Sequence, residues 1–250
     1  MENIFAEYRN FLKDTIRQRI DFRLTDQSRG IPPPPIQKSY PAESHIIDLV
    51  PRDKLSAIAN PDLISAIANR RSHRNFRADP LTVEDLSFLL WATQGIRKTR
   101  DSTAVFRTVP SAGCRHAFET YLCVLNVTGL ETGVYRYLPL EHQLLLVSKK
   151  KNLPDDLVTA TLYQGFIGKA PVTFVWTAIP YRMEWRYHLA AHKVIALDAG
   201  HVCQNLYLAS AAIGGGTCAV AAYHQELMDQ LLGVDGTDEF AIYLAAVGKI

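Results

Sequence analysis

The run Arg70-Arg71-Ser72-His73-Arg74-Asn75-Phe76-Arg77 places four arginines and a hydroxyl within eight residues. A guanidinium offers a planar fork of N–H donors at the spacing of phosphate oxygens, so such a group suits a dianionic phosphate. Arg70 and Arg71 also fit a plainer role, as cations at the C-terminus of a short helix, where the macrodipole favours them. That role leaves Ser72 and Arg74, beyond the helix end, without a reason.

Three further stretches have residue types that could serve a ligand. Pro110-Ser111-Ala112-Gly113-Cys114-Arg115-His116 has small residues after a proline, which let a planar ring come close to the backbone. Ser111, Arg115 and His116 add polar groups, although a tight turn before a strand explains the stretch equally well. Gly214-Gly215-Gly216-Thr217, running on to Ala221 and Ala222, is either a helix stop or a row of backbone donors. It is not a dinucleotide fingerprint, since GxGxxG between a strand and a helix is absent. Gly248-Lys249-Ile250 brings a lysine out of a strand, as a second phosphate cation or a simple terminus.

Two arrangements point away from other chemistries. His188 and His192 stand four residues apart, but Leu189 follows His188, so the glutamate of HExxH is missing. Asp198, Gly200 and His201 resemble part of a triad, yet no serine sits in a G-x-S-x-G elbow. Cys114, Cys123, Cys203 and Cys218 form no CxxC pair, and no metal site is expected.

These stretches need elements to hold them. Glu2 to Arg19 reads as an amphipathic helix, with Phe5, Tyr8, Phe11, Leu12 and Ile16 on one stripe that needs a partner surface. Leu24 to Pro51 reads as an extended strap, because Pro32-Pro33-Pro34-Pro35 excludes helix. Asn60-Pro61 should open a helix that buries Leu63, Ile64 and Ile67 and ends near Arg70. Thr82 with Asp85 forms a weak capping box for a helix ending at Gly95. Strands are expected at Thr120–Asn126, Val134–Leu138, Gln143–Val147, Pro171–Ile179 and Phe240–Val247, with a strand or strand-like loop at Thr217–Tyr223. Helices are expected at Leu153–Phe166, Arg186–Ile213 and Gln225–Leu232. Ala196–Ala212 is apolar on most faces and should be buried, centrally or at a subunit interface. The strands do not alternate regularly with helices, so the class is α+β rather than a doubly wound sheet.

Length and composition agree. The chain has 250 residues, 48% hydrophobic and 21% charged, enough to bury a core without disulfides. A formal charge of +2 argues against nucleic acid as a general partner. No apolar run approaches a membrane span, and the charged start lacks a signal-peptide core, so a cytoplasmic location is expected.

Taken in order, the stretches resemble the FMN-dependent nitroreductase superfamily, and within it the SagB-type dehydrogenase branch. The residues carrying the resemblance are Arg70 to Phe76, Pro110-Ser111-Ala112-Gly113 with Glu119 and Tyr121, Asp198-Ala199-Gly200-His201 with Gln204-Asn205, Gly214 to Tyr223, and Gly248-Lys249. The resemblance covers roughly Pro32 to the C-terminus. It implies an α/β/α sandwich around a central, mostly antiparallel sheet, in an intertwined homodimer with FMN at the interface. Residues 1–58 would be the N-terminal helix and strap, and 59–250 the FMN-binding domain.

By the same resemblance, Arg70, Arg71, Ser72, Arg74, Gly248 and Lys249 would hold the phosphate end of FMN. Pro110, Ser111 and Gly113 would lie along the isoalloxazine, with the amides of Ala221 and Ala222 facing its reactive edge. Arg115 and His116 would reach the flavin of the partner subunit. The implied activity is hydride transfer at flavin N5 between NADH, NADPH or another reductant and a small organic substrate such as a nitro compound, quinone or heterocycle. The branch carries a Lys-Tyr acid/base pair. Here Tyr187 is retained and Arg186 replaces the lysine, which makes a poor base and puts azole formation on peptides in doubt. The alternative is a non-catalytic protein that binds flavin or another phosphate ligand. Arg74→Ala is expected to weaken FMN binding by about 1.5–3 kcal/mol, the size of a charge-assisted hydrogen bond. Titration of FMN into flavin-stripped protein measures it, and unchanged affinity would remove Arg74 from the anchor.

Overall fold

A computed structural model describes residues 4–101 and 103–250. Nine strands are found among them: β1 (Ile46–Asp48), β2 (Ile96–Asp101), β3 (Ala104–Arg107), β4 (Phe118–Val124), β5 (Gly133–Leu138), β6 (Gln143–Lys149), β7 (Val172–Ala178), β8 (Gly215–Val220) and β9 (Phe240–Lys249). The α-helices are α1 (Phe5–Leu12), α2 (Leu63–Asn69), α3 (Val83–Gln94), α4 (Leu153–Ala160), α5 (Tyr181–Tyr187), α6 (Ala191–Ala212) and α7 (Gln225–Leu232).

Seven strands form one sheet in the order β1-β6-β5-β4-β7-β9-β8, with every named pairing antiparallel. All residues of β4, β5 and β7 are buried, because helices cover both faces. The period-two alternation of a strand divides their side chains. Leu122, Val124, Phe174 and Trp176 join Leu86, Leu89 and Leu90 of α3 and Ile195, Val202 and Leu206 of α6 on one face. Tyr121, Cys123, Val134 and Val175 join Leu153 and Leu157 of α4 and Met228 and Leu231 of α7 on the other. The molecule is therefore an α/β/α sandwich, as the family resemblance implies, and of the α+β class that its strand and helix pattern predicts.

Several local expectations are corrected. The first helix stops at Leu12, and Thr15–Arg19 continues as a separate 3-10 turn; Glu2 lies outside the described residues. The cap of α2 is Asp62, whose carboxylate accepts the Ser65 N–H at 2.9 Å, rather than Asn60. A charged cap also suits the helix N-terminus. Leu63, Ile64 and Ile67 are exposed, and only Ala66 of α2 turns inward. The helix after Leu153 ends at Ala160, since Leu162 and Tyr163 take positive φ of 56° and 63°. The long helical region begins at Tyr181 and breaks at His188, whose φ of 50° and ψ of −135° fit no helix. Within the protomer the later helix is buried on one side only, with Ala196, Leu197, Gly200, His201, Gln204 and Ala211 exposed, so central burial all round is excluded and the interface alternative stays open. The β2–β3 hairpin was not foreseen, because Arg97, Lys98 and Arg100 hide the alternation of an exposed strand.

The capping box of α3 forms as expected, with Thr82 and Asp85 each accepting the other's backbone N–H. The strap begins after 30 rather than at Leu24, since Phe22–Leu24 is a 3-10 turn and 26–30 a further turn; it bends at 36–37 and turns at 42–43 before ending as β1, the edge strand beside β6. Buried cations hold it. Arg107 donates to Ile36 O at 3.2 Å, and Arg136 donates to Lys38 O and Ser39 O, each at 3.0 Å. Glu119 accepts the Lys38 N–H at 2.9 Å and pairs with Arg182, both side chains being 2% exposed.

A buried pair broken on one side leaves a charge without a counterion, which typically costs about 3–5 kcal/mol. Arg182→Met is expected to lower stability by that order in urea unfolding, and adding Glu119→Gln is expected to recover part of the loss. Equal midpoints for wild type and Arg182→Met would show that the pair does not hold the strap.

Candidate functional site

The arginine run leaves the end of α2 and lies as an extended segment across the C-terminal edge of the sheet. Ser72 bridges Thr217 in parallel, the His73 N–H donates to Thr217 O at 3.0 Å, and the Arg77 N–H donates to Lys249 O at 2.9 Å. Two glycines permit this approach. A Cβ on Gly216 would stand 2.6 Å from the His73 ring, and one on Gly248 would stand 2.9 Å from the Phe76 ring. The glycines of β8 and β9 therefore act as a floor on which the basic segment rests. Burial, and then the charge of Arg71, hold the His73 pKa below the usual imidazole value.

Tyr207 of α6 organises the same place. Its hydroxyl accepts the Ala219 N–H at 2.8 Å and lies 2.9 Å from Ser72 Oγ. Either hydroxyl can donate in the Ser72–Tyr207 contact, so Tyr207 fixes the position of the Ser72 hydroxyl beside the arginines. The Arg70 guanidinium lies 5.2 Å from the Tyr207 ring centroid. Arg70, Arg71 and Arg74 are exposed and form none of the ion pairs among the described residues. A cavity of about 330 Å3 opens here, lined by Asn69, Arg70, Arg71, Tyr207 and Gly215.

The members are not all equivalent. Arg74 turns toward Phe166, its guanidinium 5.8 Å from the ring. Lys249 is held by Asp85 at 3.0 Å and donates to Ile213 O at 2.6 Å, so its charge is already matched. Sequence reasoning assigned Asp85 only to a helix cap and did not single out Tyr207 at all. A tyrosine in an alanine-rich helix has no local signal; its role comes from β8 and Ser72 packing against that helix.

Pro110 to Arg115 gathers elsewhere, around the first half of α6. Asp198 accepts the Ala112 N–H at 3.2 Å, and burial raises its carboxyl pKa while its bonds to Ser111 and Ala112 pull it back. Ser111 Oγ accepts the His116 N–H at 2.9 Å. Gly113 has φ +58°, and a Cβ there would meet Tyr187 Oη at 2.6 Å and Arg186 Nε at 2.9 Å. The structure thus brings Gly113, Arg186 and Tyr187 together, although they are far apart in sequence. Arg115 and His116 face inward within the protomer. The Arg115 guanidinium lies 4.7 Å from the Trp185 ring centroid, and its Nε donates to Arg182 O at 3.2 Å. Burial first, then Arg107, pushes the His116 pKa down to about 3, which leaves it neutral at physiological pH.

Pro110 is exposed, as are Ala221 and Ala222 just past β8, where Ala222 O accepts from Gln164 Nε2 at 2.9 Å. The contacts of Asp198 and Tyr207 mark the two groups along α6, nine residues apart and hence separated by about 14 Å of helix rise. One protomer therefore carries an open cationic group and, further along the same helix, a glycine loop facing a guanidinium and a phenol. The first group fits the phosphate of FMN: its guanidiniums have no carboxylate partner, the Ser72 hydroxyl stands beside them, and the floor is glycine.

Comparison with known proteins gives a consistent picture. The sequence model of the nitroreductase family matches residues 67–249. A protein of Methanocaldococcus jannaschii named for the nitroreductases, MJ1384, is 32% identical over 196 residues, covering 78% of this chain and 95% of its own length. The trifolitoxin-processing protein TfxB of Rhizobium leguminosarum bv. trifolii is 26% identical over 140 residues, 54% of this chain but only 38% of TfxB. A crystal structure from Ralstonia eutropha, also named for the nitroreductases, superposes with a TM-score of 0.68 at 26% identity, covering 87% of this chain and 98% of that one.

Gly216→Ala tests the glycine floor. The added methyl has to displace the His73 ring, an overpacking that typically costs about 1–3 kcal/mol. The thermal unfolding midpoint should fall, and an unchanged midpoint would mean that the basic segment is not seated on β8.

Proposed function

The chain belongs to the nitroreductase family, and from that premise we propose that it is an FMN-dependent oxidoreductase of the SagB-type dehydrogenase branch. Members of the family are generally flavin-dependent oxidoreductases. The observation that carries the reading is the set of exposed guanidiniums without carboxylate partners beside Ser72, seated on the glycines of β8 and β9.

Bound FMN would supply hydride exchange at its N5 with a reductant, NADH or NADPH, and with a small organic acceptor such as a nitro compound, a quinone or a heterocycle. Arg70, Arg71 and Ser72 would grip the phosphate, with Arg74 closing from the Phe166 side. Lys249, already paired with Asp85, would contribute through the backbone it anchors more than through a free charge. Pro110, Ser111 and Gly113 would line a ring face, held in place by Asp198 through the Ala112 N–H. Arg186 and Tyr187 would stand over the reacting end. Arginine keeps its proton, so any proton moved there would pass through the Tyr187 hydroxyl.

A homodimer completes this arrangement. Leu63, Ile64 and Ile67 of α2 and Leu197 of α6 are exposed apolar side chains, and such groups together mark association surfaces. Pairing through these helices would bring the cationic group of one protomer toward the glycine loop of its partner. No helix among the described residues is long and apolar enough to cross a membrane, and a cytoplasmic location is proposed.

Purified protein is expected to be yellow, to release FMN on denaturation, and to be bleached by NADH or NADPH in anaerobic stopped flow. Protein that stays colourless after incubation with FMN would overturn the reading. Protein that holds FMN but is reduced by neither nucleotide nor any tested organic donor would instead be a flavin carrier without this catalysis.

A further inference from the structure

Arg186 and Tyr187 reach the surface of the glycine loop with nothing to bind. The Arg186 guanidinium takes part in no hydrogen bond or ion pair among the described residues, and its recorded contact is with the ring of Tyr187, at 5.6 Å. The Tyr187 hydroxyl has no hydrogen-bond partner among them either. Both ends converge, since each lies within 3 Å of the single point where a Cβ on Gly113 would stand. The nearby carboxylates are occupied: Glu184 is paired with His192 at 2.8 Å, and Asp198 holds the Ala112 N–H. Arg115, stacked on Trp185, adds a second positive charge nearby, whereas Arg182 is matched by Glu119.

A half-buried guanidinium that has Arg115 beside it and no carboxylate of its own gains a charge-assisted partner when an anion arrives. A planar guanidinium fork beside a phenolic O–H is a donor set matched to the two oxygens of a carboxylate. We propose that Arg186 and Tyr187 form an anion subsite at the glycine loop, so that the substrate of this protein carries a carboxylate. This rests on the oxidoreductase reading, and it makes Arg186 the residue that determines specificity. Tyr187 donates the second hydrogen bond, and Gly113 is glycine because its φ is +58° and a Cβ there would collide with Tyr187 Oη and Arg186 Nε, pushing the two donors apart. The replacement of lysine by arginine then exchanges a proton-transfer group for a fixed, planar anion fork.

The test has two arms on the protein as purified. In calorimetry, benzoate should bind to wild type at least about tenfold more tightly than benzamide, the scale of one charge-assisted hydrogen bond. Arg186→Gln should erase that preference and Arg186→Lys should retain part of it. In turnover with NADH or NADPH, 4-nitrobenzoate should be favoured over its methyl ester in kcat/KM, mainly through KM, and the acid-to-ester ratio should collapse in Arg186→Gln. Benzoate binding no better than benzamide, or a preference that survives in Arg186→Gln, would overturn the anion subsite while leaving the flavin reading intact. Preferential benzoate binding that depends on Arg186, without turnover of either nitro compound, would support the subsite and count against the redox reading. Because Arg70 and Arg71 are also cations without carboxylate partners, the preference is assigned by its dependence on Arg186: should Arg186→Gln fail to fold, a preference undiminished in Arg186→Lys would overturn the subsite.

Discussion

The basic segment Arg70–Arg77 depends on the absence of two side chains. Its backbone bonds to Thr217 and Lys249, and its rings at His73 and Phe76, occupy space that a Cβ on Gly216 or Gly248 would take. A strand edge gives up side-chain packing at a glycine, so the loss has to be offset by what lies over it. Here the covering element is the one that carries the unpaired guanidiniums. The positions of the cations, the end of the sheet and the cavity beside Tyr207 are therefore one constraint rather than three.

Helix α6 is the second organiser. It packs Ile195, Val202 and Leu206 into the core, yet two of its polar side chains look outward to the sites: Asp198 holds the Pro110–Gly113 loop, and Tyr207 holds Ser72 and β8. A rigid helix sets the spacing between two groups better than any loop could. The break at His188 ends α5 just after Arg186 and Tyr187, and the chain turns there before α6 begins. Arg186 and Tyr187, both half-buried, thus sit at the end of a short helix, next to the backbone irregularity.

The strap adds a third layer. Residues 36–39 cover buried Arg107, Arg136 and Glu119, and each of these charged groups makes at least one hydrogen bond to the strap backbone, beside the bond of Arg107 to Gln94 and of Glu119 to Arg182. Charges at such depth are expensive without partners. Arg182 links this layer to the site, since it pairs with Glu119 and accepts the Arg115 Nε–H on its carbonyl. The strap therefore supports the loop region from below while contributing none of the candidate ligand-binding side chains.

Local signals in the chain determined a good deal. The capping box at Thr82, the short apolar and β-branched runs of β4 to β7, and the extent of α7 follow from local composition, periodicity and hydrogen-bonding chemistry, which neighbours along the chain can satisfy. The order of the basic run, the Pro-Ser-Ala-Gly loop, the glycine triplet and the final Gly-Lys was also legible, and it sufficed for the family. What only the tertiary structure decided depends on distant partners. Lys249 is neutralised by Asp85, Arg115 turns inward onto Trp185, Tyr207 joins Ser72 to β8, and Gly113 meets Arg186 and Tyr187. The apolar stripe of α2 was misplaced for the same reason, since period alone says which residues share a face but not whether the chain or another molecule covers it. Spacing along a sequence records chemistry that lies within a few residues; charge matching and burial are settled by what the fold brings alongside.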